Sequence, residues 1–222
     1  MNISFLLLDV CKTLVNFQTA NKYVLYVLTE KNAFIRLVLC RWYRIFYRLF
    51  GGKEGGLKYK YAILKLLQGE NKKKLEEIAK SFFEQHIIAN INAEVLNLID
   101  KVKSENSGAK LVVVSAGYDL YLQYLKEYLQ IDYMVCSRLS YNGDVFSGKL
   151  ERDCFSQNKI YELRDHGILQ KICFEKAMVV SDSYSDLPLF AVGKYKIAVN
   201  PDRQLSFLVG KGWDHISDFL RN

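Results

Sequence analysis

Asp9 follows a run of leucines in LLLDVCKTL, and Asp182 and Asp186 stand four residues apart in VVSDSYSDLP. Asp9 at the carboxyl end of a buried strand suits a catalytic carboxylate, because ligands of open parallel sheets collect at that end. A turn or capping aspartate is the plainer reading. The acidic pair has the donor type of a hard-cation site, where Mg²⁺ takes one or two carboxylates together with waters and a phosphate oxygen. Ser115 and Ala116 in VVVSAG offer a hydroxyl and backbone N–H groups to an anion at a strand-to-helix junction, unless Ser115 only caps the next helix. Lys159 in SQNKIYEL would neutralise phosphate charge or orient a carboxylate; in isolation it would be a surface lysine.

Such residues need strands to present them. Val/Ile/Leu runs at residues 3–8, 110–114, 177–180 and 196–199 are bounded by polar or turn residues and read as buried parallel strands. Helical patterns at 119–130 and 159–166 alternate with the later strands, which predicts a doubly wound, Rossmann-like α/β sheet. Asn142-Gly143 in RLSYNGDVFSGKL marks a hairpin or flap beside it. Between residues 16 and 90 strand signals vanish, and helical ones follow one another at 33–50, 59–68 and 72–84. A helical insert after the first strand is therefore expected, dividing the chain into 1–15 plus 91–222 and 16–90. Gly51-Gly52 and Gly55-Gly56 would serve as a turn, or a mobile loop, between its helices.

The 222 residues carry 31 basic and 24 acidic side chains, and half of them are hydrophobic. That composition is globular and excludes disorder and collagen. The insert holds 14 Lys/Arg against 6 Asp/Glu, so the whole basic excess lies there. It favours anionic ligands, a phosphate-bearing substrate or an acidic membrane face, or it is a solvated helical surface. No nucleic acid is expected, since no motif supports one. Along residues 33–50, Arg41, Arg44 and Arg48 share one side of a helical wheel, with Val38, Trp42, Ile45, Phe46 and Leu49 broadly opposite. That apolar side is expected to pack on neighbouring helices in preference to touching a membrane. Five cysteines without a CxxC pair argue against a disulfide framework or a structural zinc. The start lacks the basic region of a signal peptide, and no apolar run reaches the roughly 18 residues of a membrane span. A cytoplasmic location follows as the expectation.

Taken in order, the four elements resemble the haloacid dehalogenase superfamily, specifically its phosphoserine-phosphatase-like branch with a helical cap after strand one. DVCKTL looks like the first motif, VVSAG the second, Lys159 with its Asp153-Cys154 lead-in the third, and SDSYSDLP the fourth. The resemblance implies that Asp9 attacks phosphorus and becomes an aspartyl phosphate. It implies that Asp9, the Cys11 carbonyl and Asp182 hold Mg²⁺, with Asp186 ligating the ion or orienting its water shell. Ser115, Ala116 and Lys159 would bind the transferring phosphoryl group.

The departure is Cys11, where this superfamily's phosphatases place a second aspartate as general acid/base. A thiol is mostly protonated at neutral pH and is a poor base. The expected function is a Mg²⁺-dependent phosphatase acting on a small phosphorylated metabolite, slowed by Cys11. The alternatives are a lipid-phosphate phosphatase meeting the membrane through the basic helix, and an impaired phosphate-binding or scaffold protein.

Overall fold

The computed structural model describes residues 1–221; Asn222, the last residue of the expected core segment, lies outside the described residues. Among the described residues seven strands form one sheet: β1 (Phe5–Leu8), β2 (Lys110–Tyr118), β3 (Tyr133–Asn142), β4 (Val145–Arg152), β5 (Ala177–Ser181), β6 (Tyr195–Ala198) and β7 (Asp214–His215), in the order β4-β3-β2-β1-β5-β6-β7. All neighbouring pairs are parallel except β3–β4. The doubly wound α/β expectation holds.

β1 lies between β2 and β5, with Leu6 opposite Leu111 and Met178. Its leucines, the valines of β2 and Ala177–Ser181 are buried, because helices cover both faces. On one face Leu6, Leu8, Val113 and Val180 pack with side chains of α1 (Thr19–Glu30), α4 (Lys72–Phe82), α5 (Ala93–Glu105), α6 (Asp119–Tyr128) and α9 (Ile216–Arg221). On the other, Leu7, Val112, Val114 and Val179 pack with Leu163 of α7 (Asn158–Asp165) and Phe190 of α8 (Leu187–Phe190). The carboxyl ends of β1, β2 and β5 thus share one edge, at the point where the strand order reverses and ligands of such sheets bind.

Between β1 and β2 the chain is helical, and residues 16–90 hold α1, α2 (Phe34–Phe50), α3 (Gly55–Lys65) and α4. This segment leaves and returns through paired backbone, with Val15 bridging Ile91 and Asn16 N–H donating to the Asn90 carbonyl at 3.0 Å. It shares its core with the sheet side. Tyr23 of α1 is fully buried, donates to the Leu75 carbonyl at 2.8 Å, and meets the rings of Phe82 at 5.4 Å and Tyr121 at 5.2 Å. Asn71 and Asn92 cap α4 and α5, each side chain accepting a backbone N–H. The expected hairpin is β3–β4, turning through Gly143 at φ +60°.

The structure corrects the expected packing of α2. Only Cys40 of its seventeen residues is buried. Phe34, Ile35, Val38, Leu39, Trp42, Ile45, Phe46, Leu49 and Phe50 are all exposed, Trp42 at 69% and Ile35 at 76%. The glycines after it do more than permit a turn. A Cβ on Gly51 or Gly55 would lie 2.3 Å from the Tyr47 carbonyl oxygen, so both are required by the close approach of α2 and α3.

Candidate active site

Asp9 leaves β1 with its backbone N–H donating to the Val180 carbonyl at 3.0 Å, which ties the first loop to β5. Lys159, at the start of α7, is only 2% exposed and reaches between two acids: Nζ donates to Asp9 Oδ1 at 2.7 Å and to Asp186 Oδ2 at 2.8 Å. Ser181 also donates to Asp186 Oδ2, at 2.6 Å. Burial works to lower the Lys159 pKa, but Asp186 and Asp9 more than offset it and hold the ammonium charged.

The acids Asp9 and Asp182 are pushed toward their neutral forms. Burial, against the pull of Lys159 and with a push from Asp186, raises Asp9 to about 6. Asp182, beyond β5, is driven up to about 8 by burial and then by Asp9 and Asp186. Among the described residues no side chain donates a hydrogen bond to the Asp182 carboxylate. Lys159 is the one lysine that pairs with these acids among the described residues, and Lys12 acts on Asp182 only from a distance; burial and mutual repulsion still outweigh both, so the donor set fits a hard cation. No three Asp, Glu, His or Cys side chains among the described residues converge into a ready-made cage. The Lys159 ammonium already stands between Asp9 and Asp186, and a Mg²⁺ site needs only one or two carboxylates beside waters and phosphate.

A cavity of about 590 Å³ opens over this edge, lined by Asp9, Cys11, Lys12, Lys60, Ala116, Lys159, Asp182 and Asp186 among others. A family model described as haloacid dehalogenase-like hydrolase matches residues 6–191, from β1 through the end of α8. The chain belongs to that family. Two curated relatives align: the inhibition of morphological differentiation protein of Streptomyces azureus, 27% identical over 158 residues (70% of this chain, 56% of that protein), and the phosphoserine phosphatase of Methanocaldococcus jannaschii, 28% identical over 95 residues (42% and 45%). The chain spans about half the length of the curated relatives it matches. A solved phosphoserine phosphatase, in a phospho-aspartyl intermediate analogue, superposes with a TM-score of 0.62 at 20% identity, covering 97% of this chain and 93% of that one. At that identity the likeness is one of fold.

In this haloacid dehalogenase-like hydrolase the residues of the sequence motifs sit at different depths. β2 runs through Ser115, Ala116 and Gly117 to Tyr118, with a register shift against β3 between Ser115 and Tyr118. Ser115 is fully buried and its Oγ accepts the Gly117 N–H at 3.0 Å, so Ala116 is the residue of this motif that lines the cavity. Ser115 does not cap α6, whose N-cap is Tyr118. Cys11 lines the cavity, yet its thiol lies 3.1 Å from Thr19 Oγ1, which lies 2.9 Å from the Tyr121 hydroxyl, and that hydroxyl accepts the Tyr118 N–H. Burial and the neighbouring Asp9 push the thiol pKa up.

Gly117 closes this relay. A Cβ there would meet Tyr121 Oη at 2.9 Å, Thr19 Oγ1 at 3.0 Å and Leu122 Cδ1 at 3.1 Å. Gly117→Ala will therefore destabilise the protein by about 1–3 kcal/mol, the usual cost of overpacking, measured as a lower urea midpoint at unchanged slope.

Lys60, Asp202 and Asn21 belong to no motif of the sequence, and Asp153 enters one only as part of the lead-in to Lys159. Lys60 of α3 donates to the Ala116 carbonyl at 3.0 Å and to Asp153 Oδ1 at 3.2 Å, bringing a cation from the helical segment to the cavity wall. Asp153 also accepts from Tyr61 and from Ser137 Oγ, which makes it a joint between α3 and the sheet. Asp202, beyond β6, accepts from Ser183 Oγ and the Tyr184, Gln204 and Leu205 N–H groups, and so fixes the loop carrying Asp182. Asp202 stands at a strand's carboxyl end, the same signal that marked Asp9. Asn21 also lines the cavity, and its buried Oδ1 has no partner among the described residues.

Proposed function

We propose that this chain is a Mg²⁺-dependent phosphomonoesterase that works through an aspartyl phosphate on Asp9 and acts on a small phosphorylated metabolite. The observation that carries this reading is the bonding of Asp9 to Lys159 at 2.7 Å in a cavity whose other acids are left short of positive charge. The solved relative noted above is a phosphoserine phosphatase bearing a phospho-aspartyl analogue, which accords with a nucleophilic aspartate.

In the first step an Asp9 carboxylate oxygen bonds to phosphorus while the bond to the ester oxygen breaks, and the departing oxygen takes up a proton. In the second, water adds to phosphorus, the aspartyl–phosphorus bond breaks, and inorganic phosphate leaves. Lys159 holds Asp9 in place and offers its ammonium to the phosphoryl oxygens. Asp9, Asp182 and the Cys11 carbonyl would hold Mg²⁺, and Asp186, already bonded by Lys159 and Ser181, would orient its water shell. The ion, when bound, would supply charge neutralisation for the phosphoryl group. Residues 16–90 act as the cap, with Lys60 and Asn21 contacting the substrate beyond its phosphate.

The test is phosphate release from sugar, amino-acid, nucleotide and acyl phosphates, with Mg²⁺ or with chelator. Release that depends on Mg²⁺ supports the proposal; none from any member, with no effect of Mg²⁺ on melting, sinks it. The pH dependence has a definite sign. Asp9 and Asp182 are raised to about 6 and about 8, so each stabilises the cation-free fold while protonated and loses that contribution as pH rises through those values. Protons compete with the ion for the same oxygens. Melting curves will show a larger Mg²⁺-induced rise in Tm above the Asp182 value of about 8 than below the Asp9 value of about 6.

A further inference from the structure

The exposed side chains of α2 are not scattered. At about 100° per residue, Phe34, Ile35, Trp42, Ile45, Leu49 and Phe50 fall within one continuous apolar arc of about 160° that extends over the helix's length of about 25 Å. All six are exposed. Arg41, Arg44 and Arg48 form the rim on one side of the arc, exposed and without an ion pair among the described residues. α2 contains no acidic residue.

We infer that α2 is a membrane-docking helix, lying in the plane of an anionic lipid surface with its apolar arc among the acyl chains and its arginines at the headgroups. A broad apolar face, aromatic anchors and a basic rim are the features of a helix that lies in an interface. The arginine stems can run along the apolar boundary while the guanidiniums stay with the phosphates. Charge complementarity selects the occupant. A second copy of the chain docked arc to arc would offer the arginine rim no acid from its own α2, whereas anionic headgroups satisfy every rim position at once. No helix among the described residues is long and apolar enough to cross a membrane, so the contact is one of surface. α2 runs through Gly51 into the short turn Gly52–Glu54, and Glu54, Gly56 and Leu57 line the cavity. A docked α2 therefore places lipid one turn of chain from the cavity rim. This inference stands apart from the hydrolytic reading, since binding is scored without turnover.

The test is flotation of the full chain with vesicles of phosphatidylcholine alone or of equal parts phosphatidylcholine and phosphatidylglycerol. At low salt the protein should float with the anionic vesicles, sediment with the neutral ones, and detach as salt rises. Arg41→Gln/Arg44→Gln/Arg48→Gln should weaken binding about 100-fold, at roughly fivefold for each basic residue. Trp42→Ser/Ile45→Ser should abolish flotation while keeping the parent's melting curve, because both side chains are exposed. Failure to float with anionic vesicles at low salt overturns the inference. So does flotation that neither variant weakens. A concentration-dependent dimer that Trp42→Ser/Ile45→Ser separates, without flotation, would also overturn it and make a second copy the occupant.

Discussion

Asp9→Asn is expected to lower phosphate release by at least about 10⁴-fold, the scale on which covalent mechanisms fail when the nucleophile is removed. An amide oxygen keeps the geometry and can still accept from Lys159, but it cannot form the aspartyl phosphate. The fold should survive. Asp9 is raised to about 6, chiefly by burial, so its charge at neutral pH is a cost to the native state, and after the change Lys159 keeps Asp186 as its ion-pair partner, so the buried ammonium is not left unpaired. Melting at unchanged or higher Tm, together with lost release, would assign the defect to chemistry. Release within tenfold of the parent would remove Asp9 from the mechanism. A collapse in Tm would instead mean that the Lys159 pairing at 2.7 Å is structural.

The positions of these residues were legible because burial on both faces writes continuous apolar runs. Leu6–Leu8, Val112–Val114 and Ala177–Val180 could be read as central strands from their residue types, and Asp9, Ser115 and Asp182 beyond them had to lie at one edge. The elements that escaped have mixed signals. β3 was legible only as the hairpin arm at residues 138–142, its first half reading YMVCS, and β7 is two residues long. α1 is rich in Tyr and Val, which favour strands; its helix is fixed by burial of Tyr23, Val24, Val27 and Leu28 on one stripe, a tertiary effect.

Within the site, the sequence located Ser115 but not its depth: it is fully buried, and its Oγ accepts the Gly117 N–H where β2 shifts register against β3. Lys60 was hidden among 14 basic residues of one segment, and only the fold singles out the one that reaches Ala116. α2 carries the same lesson. Periodicity established an apolar side and a basic side, but which side faces inward depends on where α1 and α3 lie. They press on the edge carrying Cys40 and leave the broad apolar arc in solvent.

Cys11→Asp is the second large effect, and its direction is a gain. The departing ester oxygen needs a proton, and the hydrolytic water must lose one. The Cys11 thiol is bonded toward Thr19, and burial and Asp9 keep it protonated, so it can supply at best a weak donor and no base. A carboxyl group at this position, on the wall of the cavity and near the Lys60 charge, could do both. General acid/base catalysis is worth about 10² to 10⁴ in rate, and kcat for an alkyl phosphate should rise by that order.

The diagnostic is the leaving group. Without an acid, turnover must fall steeply as the leaving alcohol becomes more basic; with one, the dependence flattens. The parent should handle aryl phosphates far better than alkyl phosphates, and Cys11→Asp should close most of that gap while changing aryl turnover little. The added buried acid joins Asp9 and Asp182, so the variant should melt lower without a cation and recover with Mg²⁺. A variant that recovers its Tm with Mg²⁺ and still releases alkyl phosphates no faster than the parent would show that proton transfer is not the step this protein lacks. The Cys11–Thr19–Tyr121 relay would then be the place to look, since it is what holds the first loop against α1 and α6.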